Sequence, residues 1–381
     1  MSVPFLDLRA QDAEVGAAVR AAVAAVLADQ RFVLGDHVGS FEAAMASYCG
    51  VPHAVGVASG TDALALVLSA LGVGLGTRVL TTPFSFFATA STIVRLGARP
   101  VFADVDPRTL NLDPAAAADA LARAGGPVAG IVAVDLFGRL ADMDALGALA
   151  DRHGLWMLED AAQAVGARSN GRRAGAFGRA GCLSFYPTKN LGGIGDGGML
   201  LTADAGLADI VRRDRAHGQV GPYVHETIGL CSRLDAVQAA ALEAKLPRLD
   251  DWNARRRSVA GWYARHFRER GLAGAPGAPV ELPEPAGEAH VFHAYTIRAR
   301  GRDALVRALA DRGVGTQVYY RVPLHRQAPL AACAEIPCGV PEADRASGKV
   351  VALPMYPQMP EEHVVRVVEA VESFFRSGGA D

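Results

Sequence analysis

The sequence predicts an α/β protein, with a large domain built on a mostly parallel sheet over residues 1–250 and a smaller α+β domain over 251–381. Two observations predict the sheet. Short apolar runs at 54–58, 78–80, 100–103, 128–134 and 155–158 read as strands, and segments of helical periodicity separate them. Such alternation means parallel strands covered by helices on both faces. The third observation is a Pro/Gly-rich stretch at 271–287. After it, strands at 291–298 and 315–319 and helices at 303–311 and 361–375 make up the smaller unit.

The elements follow in order. Residues 10–29 are Ala-rich with spaced Val and Leu and read as an amphipathic helix, and Ser40 is expected to cap a short one ending at Tyr48. Further helices are expected at 63–71, 84–96, 114–124 (opening with Pro114) and 143–153. A strand at 199–202 precedes a basic helix reaching Ala216, a polar loop at 217–231, and helices at 234–250 and 252–270. Sites in such sheets lie at the carboxyl ends of strands. Ser59-Gly-Thr-Asp62, Asp160 and the run 184–189 all fall there.

The most chemically loaded stretch is 181–198, centred on Lys189. The chain has 38 Lys+Arg, yet only Lys189, Lys245 and Lys349 are lysines. Arg cannot replace an amine nucleophile, because its guanidinium stays protonated. By default, however, a lysine beside a flexible loop is a solvated one. Gly193, Gly195 and Gly198 match G-x-G-x-x-G, but that pattern must open a helix, and here a strand follows; no dinucleotide site is expected. The Ser59-to-Asp62 turn, between a strand and a helix start, reads either as an anion site or as an ordinary N-cap.

Composition narrows the function. Half the residues are hydrophobic, a fifth are charged, and net charge is −2, which gives no reason to expect nucleic acid or an anionic membrane surface. No run reaches the ~20 apolar residues needed to span a bilayer. The first residues lack the charged and apolar regions of a secretory signal, so a cytoplasmic protein is expected. The five cysteines are scattered and form no C-x-x-C, and no His/Cys spacing suggests a metal.

Together, Ser59-Gly-Thr-Asp-Ala-Leu64, Glu159-Asp-Ala-Ala-Gln163, Ser184-Phe-Tyr-Pro-Thr-Lys-Asn190, Gly195-Asp-Gly-Gly198 and Ser232-Arg-Leu-Asp-Ala-Val-Gln-Ala-Ala240 resemble the DegT/DnrJ/EryC1/StrS family of nucleotide-sugar aminotransferases. Phe5-Leu-Asp-Leu8 and Pro323-Leu-His325 extend the likeness over nearly the whole chain. The resemblance implies the type I (aspartate aminotransferase-like) fold and pyridoxal 5'-phosphate (PLP), cycling through pyridoxamine phosphate. Lys189 would carry the cofactor covalently and then shuttle protons. Asp160 would pair with the pyridine nitrogen, and Gln163 would bond the ring oxygen. Phe86 would stack on the ring, and Gly60, Thr61 and Ser184 would hold the phosphate. Arg233 would help bind the cofactor, through a phosphate contact in the site of a partner subunit, in a homodimer with shared sites. Cys231 stands where the family usually has Asn, a departure at that cross-subunit contact.

The resemblance further implies transfer from an amino acid, with glutamate expected, to a ketone of a nucleotide-linked deoxysugar, expected as the thymidine diphosphate (dTDP) sugar. Tyr186, Gly195-Asp-Gly-Gly198, and His217-Gly-Gln219 with Tyr223 and His225 look like the members acting at C3; His at position 186 would look like those acting at C4. His325 is a further expected substrate residue. A PLP-dependent sugar dehydratase of the family would carry His in place of Lys189. A non-enzymatic PLP-binding regulator would have no need of Lys189, Asp160 and Gln163 together.

Overall fold

The computed structural model describes residues 2–378. Asp7 opens the first helix, α1 (Leu8–Asp29), accepting from the N–H groups of Arg9 and Ala10. The second, α2 (Asp36–Cys49), starts before Ser40, which is therefore not its cap; the Ser40 hydroxyl donates to Glu243 Oε1 at 2.6 Å.

Strands and helices then alternate: β1 (His53–Val57), α3 (Gly60–Ala70), β2 (Arg78–Thr81), α4 (Phe87–Arg95), β3 (Arg99–Phe102), α5 (Pro114–Arg123), β4 (Gly130–Val134), α6 (Met143–His153) and β5 (Trp156–Asp160). The start of α4 falls after the expected residue 84. Thr82 Oγ1 accepts from the Phe84 N–H at 3.1 Å, a local turn that competes with helix. A hairpin of β6 (Arg168–Ser169) and β7 (Arg172–Arg173) leads to β8 (Ala180–Ser184) and β9 (Gly198–Thr202).

The main sheet has the order β1-β9-β8-β5-β4-β2-β3, and β9 alone runs against its neighbours. The carboxyl ends of β1, β8, β5, β4 and β2 therefore share one edge with the amino end of β9. Both faces are buried. Ile131, Leu183, Met199 and Leu201 join one apolar cluster, while Val132, Leu158, Cys182 and Leu200 join another.

Beyond the sheet come α7 (Ala205–Asp214), the hairpin β10 (Gln219–Gly221)–β11 (Val224–His225), α8 (Ala236–Lys245) and α9 (Leu249–Glu269). The break between α8 and α9 falls at Leu246–Arg248, where Pro247 has no N–H to donate. The expected division at 250/251 lies in the first turn of α9. This helix starts in the large apolar cluster with Leu249 and ends in a second one with Val259, Tyr263 and Phe267. Around that second cluster fold β12 (Val280–Glu281), β13 (Tyr295–Ala299), α10 (Arg302–Asp311), β14 (Val350–Leu353) and α13 (Glu361–Arg376), while α11 (Ala328–Ala331) and α12 (Pro341–Lys349) pack into a further cluster with Phe84 and Phe102.

The expected strand at 315–319 does not form. Only Gln317 makes a bridge, to Ala352, and the third strand of the small sheet is β14. Instead, 315–320 carries two tyrosines across to the edge of the large sheet, where Tyr320 packs edge-on against Phe84.

Candidate active site

Lys189 lies beyond the carboxyl end of β8, its N–H donating to the Tyr186 carbonyl at 2.8 Å. Its amine lines a cavity of about 750 Å³ at the shared strand edge, closed on one side by residues 319–327. Burial lowers the ammonium from 10.5 to about 8, with the Asp160 charge opposing the shift.

Asp160 ends β5 in the same cavity. Its Oδ2 accepts from Thr89 Oγ1 at 2.7 Å and its Oδ1 from the Ala162 N–H at 3.3 Å. Thr89 is in turn 2.9 Å from Ser85 Oγ. Desolvation raises the Asp160 carboxyl, while Thr89, Ala162 and the Lys189 charge pull it down.

Gln163 has a fixed orientation. Its Oε1 accepts from the Phe137 N–H at 2.7 Å, which turns Nε2 toward the cavity, 3.2 Å from the Tyr320 hydroxyl. Phe86 precedes α4 with its ring largely exposed to the cavity, and Tyr186 is similarly open.

The Gly60 end of the cavity is built by close approach. Ser59 caps α3, accepting from the Asp62 N–H at 3.1 Å, and the leading N–H groups of Gly60 and Thr61 have no carbonyl one turn back. A Cβ on Gly60 would stand 2.8 Å from Ser184 Cβ, and one on Gly198 would stand 2.2 Å from the Ser59 carbonyl carbon. Only glycine lets these three segments meet. The motif at 232–240 supports them from behind. Ser232 Oγ donates to Asp62 Oδ2 (2.8 Å) and accepts from the Ala58 N–H (3.2 Å), and Gln238 Oε1 accepts from the Ile194 N–H (2.8 Å).

The structure thus brings Lys189, Asp160, Gln163, Gly60, Thr61, Ser184, Phe86 and Tyr186 to one cavity. It does not bring four other expected residues there. Tyr223 and His225 are exposed on the β10–β11 hairpin. Arg233 donates to Cys231 Sγ at 3.0 Å, outside the cavity lining. His325 is turned away and sits 3.0 Å from Asp344 Oδ1.

Sequence reasoning missed Ser85, Thr89, His293, Tyr319 and Tyr320, which all belong to the site. The Ser85/Thr89 spacing could have signalled a shared face; the other three arrive by long-range folding and leave no local signal.

A cofactor with an anionic phosphate, a ring nitrogen and an aldehyde fits these groups: a glycine-lined helix start, a buried carboxylate and a neutralisable amine. The model of the DegT/DnrJ/EryC1/StrS aminotransferase family matches residues 14–372. The chain belongs to that family. A "pleiotropic regulatory protein" of Geobacillus stearothermophilus is 45% identical, covering 99% of each chain. A UDP-N-acetyl-3-dehydro-alpha-D-glucosamine 3-aminotransferase of Acidithiobacillus ferrooxidans is 42% identical over 97% of each chain. A dTDP-3-amino-3,4,6-trideoxy-alpha-D-glucose transaminase of Streptomyces venezuelae is 41% identical, over 98% of this chain and 96% of that one.

Among solved structures, DesV of S. venezuelae in complex with a ketimine intermediate superposes with a TM-score of 0.91, at 41% identity and 98% coverage of both chains. NtdA of Bacillus subtilis with bound cofactor PMP superposes at 0.87, with 29% identity, covering 98% of this chain and 85% of that chain. This DegT/DnrJ/EryC1/StrS member is a PLP-dependent aminotransferase of the type I fold, its cofactor cycling to pyridoxamine phosphate. Among the described residues, no helix is long and apolar enough to cross a membrane.

Proposed function

We propose that this enzyme moves an amino group from an amino acid, with glutamate the donor, to the C3 ketone of a dTDP-linked deoxysugar. The observation that carries the reading is Lys189 facing Asp160 in one cavity, with its ammonium brought down to about 8. An amine titrating there is free to act as nucleophile and as proton carrier near neutral pH. PLP supplies an electron sink when bound. With the cofactor bound, Asp160 would hold the pyridine nitrogen protonated, Gln163 Nε2 would donate to the ring oxygen, and the α3 start with Ser184 would take the phosphate. Phe86 would cover the ring. The intact Lys189 sets this chain apart from a sugar dehydratase, which would have His there.

Tyr186 and Gly195-Asp-Gly-Gly198 support C3, as do the 3-amino names of two relatives. Tyr186 lines the cavity, and its phenol differs from an imidazole in reach and protonation, so it would favour a different sugar pose. The sugar is to be supplied as dTDP 3-keto- and 4-keto-6-deoxyglucose and as a UDP 3-keto sugar, separately, with glutamate, and the products read by NMR. Amination of the 3-keto sugar is expected. Amination of the 4-keto sugar alone would replace C3 by C4, and amination only of a UDP 3-keto sugar would replace the nucleotide.

The enzyme is further proposed to be a cytoplasmic homodimer. No arginine lines the cavity among the described residues, so a phosphate-bearing substrate calls for cations from elsewhere. Arg233, Tyr223 and His225 lie outside the cavity of their own chain, beside exposed Val220, Val224, Ile228 and Leu230. This apolar strip is the kind of surface a second copy covers.

A further inference from the structure

Behind Asp160 lie two carboxyl groups that the site described above does not use. Glu159 precedes Asp160 in β5, and successive strand residues face opposite sides of a sheet. In the β4–β5 register Glu159 stands opposite Ala133. Asp135 comes two residues further along that face, its N–H donating to the Asp160 carbonyl at 3.1 Å. Both side chains are fully buried. Each has one oxygen bound to a backbone N–H, Asp135 Oδ1 to that of Ala141 at 2.9 Å and Glu159 Oε2 to that of Phe177 at 3.0 Å. The other two oxygens, Asp135 Oδ2 and Glu159 Oε1, are shut off from solvent and meet no donor among the described residues. The two carboxyl groups lie within hydrogen-bond reach of each other. Two carboxylates there would repel with neither solvent nor donor to relieve them, whereas one proton between them makes a charge-assisted O–H···O bond. Burial raises both groups, and the Glu159 charge raises Asp135 further. Four other titratable or charged groups face the pair. Asp160 of β5 adds to the repulsion, Arg172 of β7 opposes it at Glu159, and the thiols of Cys49 (α2) and Cys182 (β8) are kept un-ionised by burial.

We propose that Asp135 and Glu159 share one proton, held between Asp135 Oδ2 and Glu159 Oε1, and that this bond fastens the turn that orients Gln163. The turn runs from Asp135 to Ala141 and is closed by the Oδ1 contact. Within it Phe137 has a φ of 60°, a left-handed conformation that a bulky residue does not adopt unless held. The Phe137 N–H is the donor that fixes Gln163 Oε1 at 2.7 Å. The shared proton ties this turn to β5 one residue from Asp160, so Asp160 and Gln163 keep one spacing. Asp135 and Glu159 are positioning residues, and neither lines the cavity. Their effect on the cofactor rests on the assignment of Gln163 to the ring oxygen; the shared proton does not.

The first test uses the cofactor-free protein, so that its outcome is separate from the aminotransferase reading. Infrared spectra at neutral pH should show the carbonyl stretch of an un-ionised carboxylic acid. Asp135→Asn and Glu159→Gln should each abolish it, because an amide N–H takes the place of the shared proton. A wild type without the band, or a band that survives either substitution, would overturn the proposal. Denaturant titrations read the same proton. Above the ordinary carboxylate range, about pH 4, the folded pair keeps a proton that the unfolded chain releases. Stability should therefore fall as pH rises from there until the pair ionises, the folding constant dropping by up to about tenfold per pH unit from this proton. Asp135→Asn should flatten that fall, and parallel curves for the two proteins would contradict the sharing. With PLP added, Asp135→Ala removes both contacts of the side chain and should weaken cofactor binding by about tenfold or more in equilibrium dialysis. Asp135→Asn should restore binding toward wild type. Equal weakening in both variants would overturn the positioning role. If Asp135→Ala does not fold, Glu159→Leu against Glu159→Gln makes the same comparison. If the loaded wild type keeps its cofactor colour with glutamate, the aminotransferase reading fails and the infrared result stands by itself.

Discussion

Thr89 Oγ1 donates to Asp160 Oδ2 across 2.7 Å, linking the first helix after β2 to the end of β5. The bond stabilises the carboxylate against the desolvation that raises its pKa. Removing the donor leaves a buried charged acceptor short of a partner, at a cost of about 1.5–3 kcal/mol. Thr89→Val should therefore fold, bind cofactor more weakly and lose about tenfold or more in turnover, since ~1.4 kcal/mol is tenfold. Unchanged cofactor affinity by equilibrium dialysis, together with unchanged turnover, would remove Thr89 from the site.

Asp160→Asn is the companion experiment. The amide keeps the shape but cannot hold a protonated pyridinium, so the rate should fall by at least about 100-fold, roughly 2.7 kcal/mol. Turnover like that of wild type would mean that another group performs the pairing.

Lys189→Ala should fold, retain cofactor non-covalently and lose turnover. The pH behaviour of the wild type follows from its lowered pKa. A neutral amine attacks, so the rate of covalent cofactor capture should rise with pH through about 8 and level above it. Stability of the cofactor-free protein follows the same proton. The folded state releases it near 8 and the unfolded chain near 10.5, so the unfolded chain binds more protons in that window. Stability should thus rise with pH there, by up to about 1.4 kcal/mol per unit from this group, and Lys189→Met should lack that rise. Denaturant titrations at a series of pH values would show it; parallel curves for both proteins would contradict the shift.

Gly60→Ala tests the close approach. The added Cβ would meet Ser184 Cβ at 2.8 Å, within contact that side chains do not tolerate. Since Ser184 is held at the end of β8, the strain should open the phosphate end and weaken cofactor binding by about tenfold or more. A variant with wild-type affinity would show that α3 and β8 can separate freely.

Arg233→Ala should lower the affinity for a phosphate-bearing substrate, although Arg233 lies outside the cavity of its own chain. Light scattering is expected to give a dimer. An active monomer would end the shared-site proposal.

The sequence by itself determined the alternating architecture, because a buried strand between two helices must be short and apolar, and that pattern is local. It also marked Lys189, by the rarity of lysine in an Arg-rich chain, and the Ser59 turn, by the chemistry of a helix start. The motifs then pointed to Asp160, Gln163 and Ser184. What only the tertiary structure decided is how the groups meet. Ser40 reads as a cap but sits inside α2, because capping depends on where the helix starts rather than on residue type. The run 315–319 has strand-like composition, yet its backbone bonds go to Val3 and Ala352 and its end delivers Tyr319 and Tyr320 to the cavity. His325 looks like a site residue by its motif but is drawn to Asp344. His293 Nδ1 meets Asn190 Oδ1, and Asn190 in turn bonds Asn253, contacts that no local pattern connects. Propensity and periodicity act over a few residues, whereas these contacts join segments tens to hundreds of residues apart, and there the packing of the apolar clusters chooses the partners.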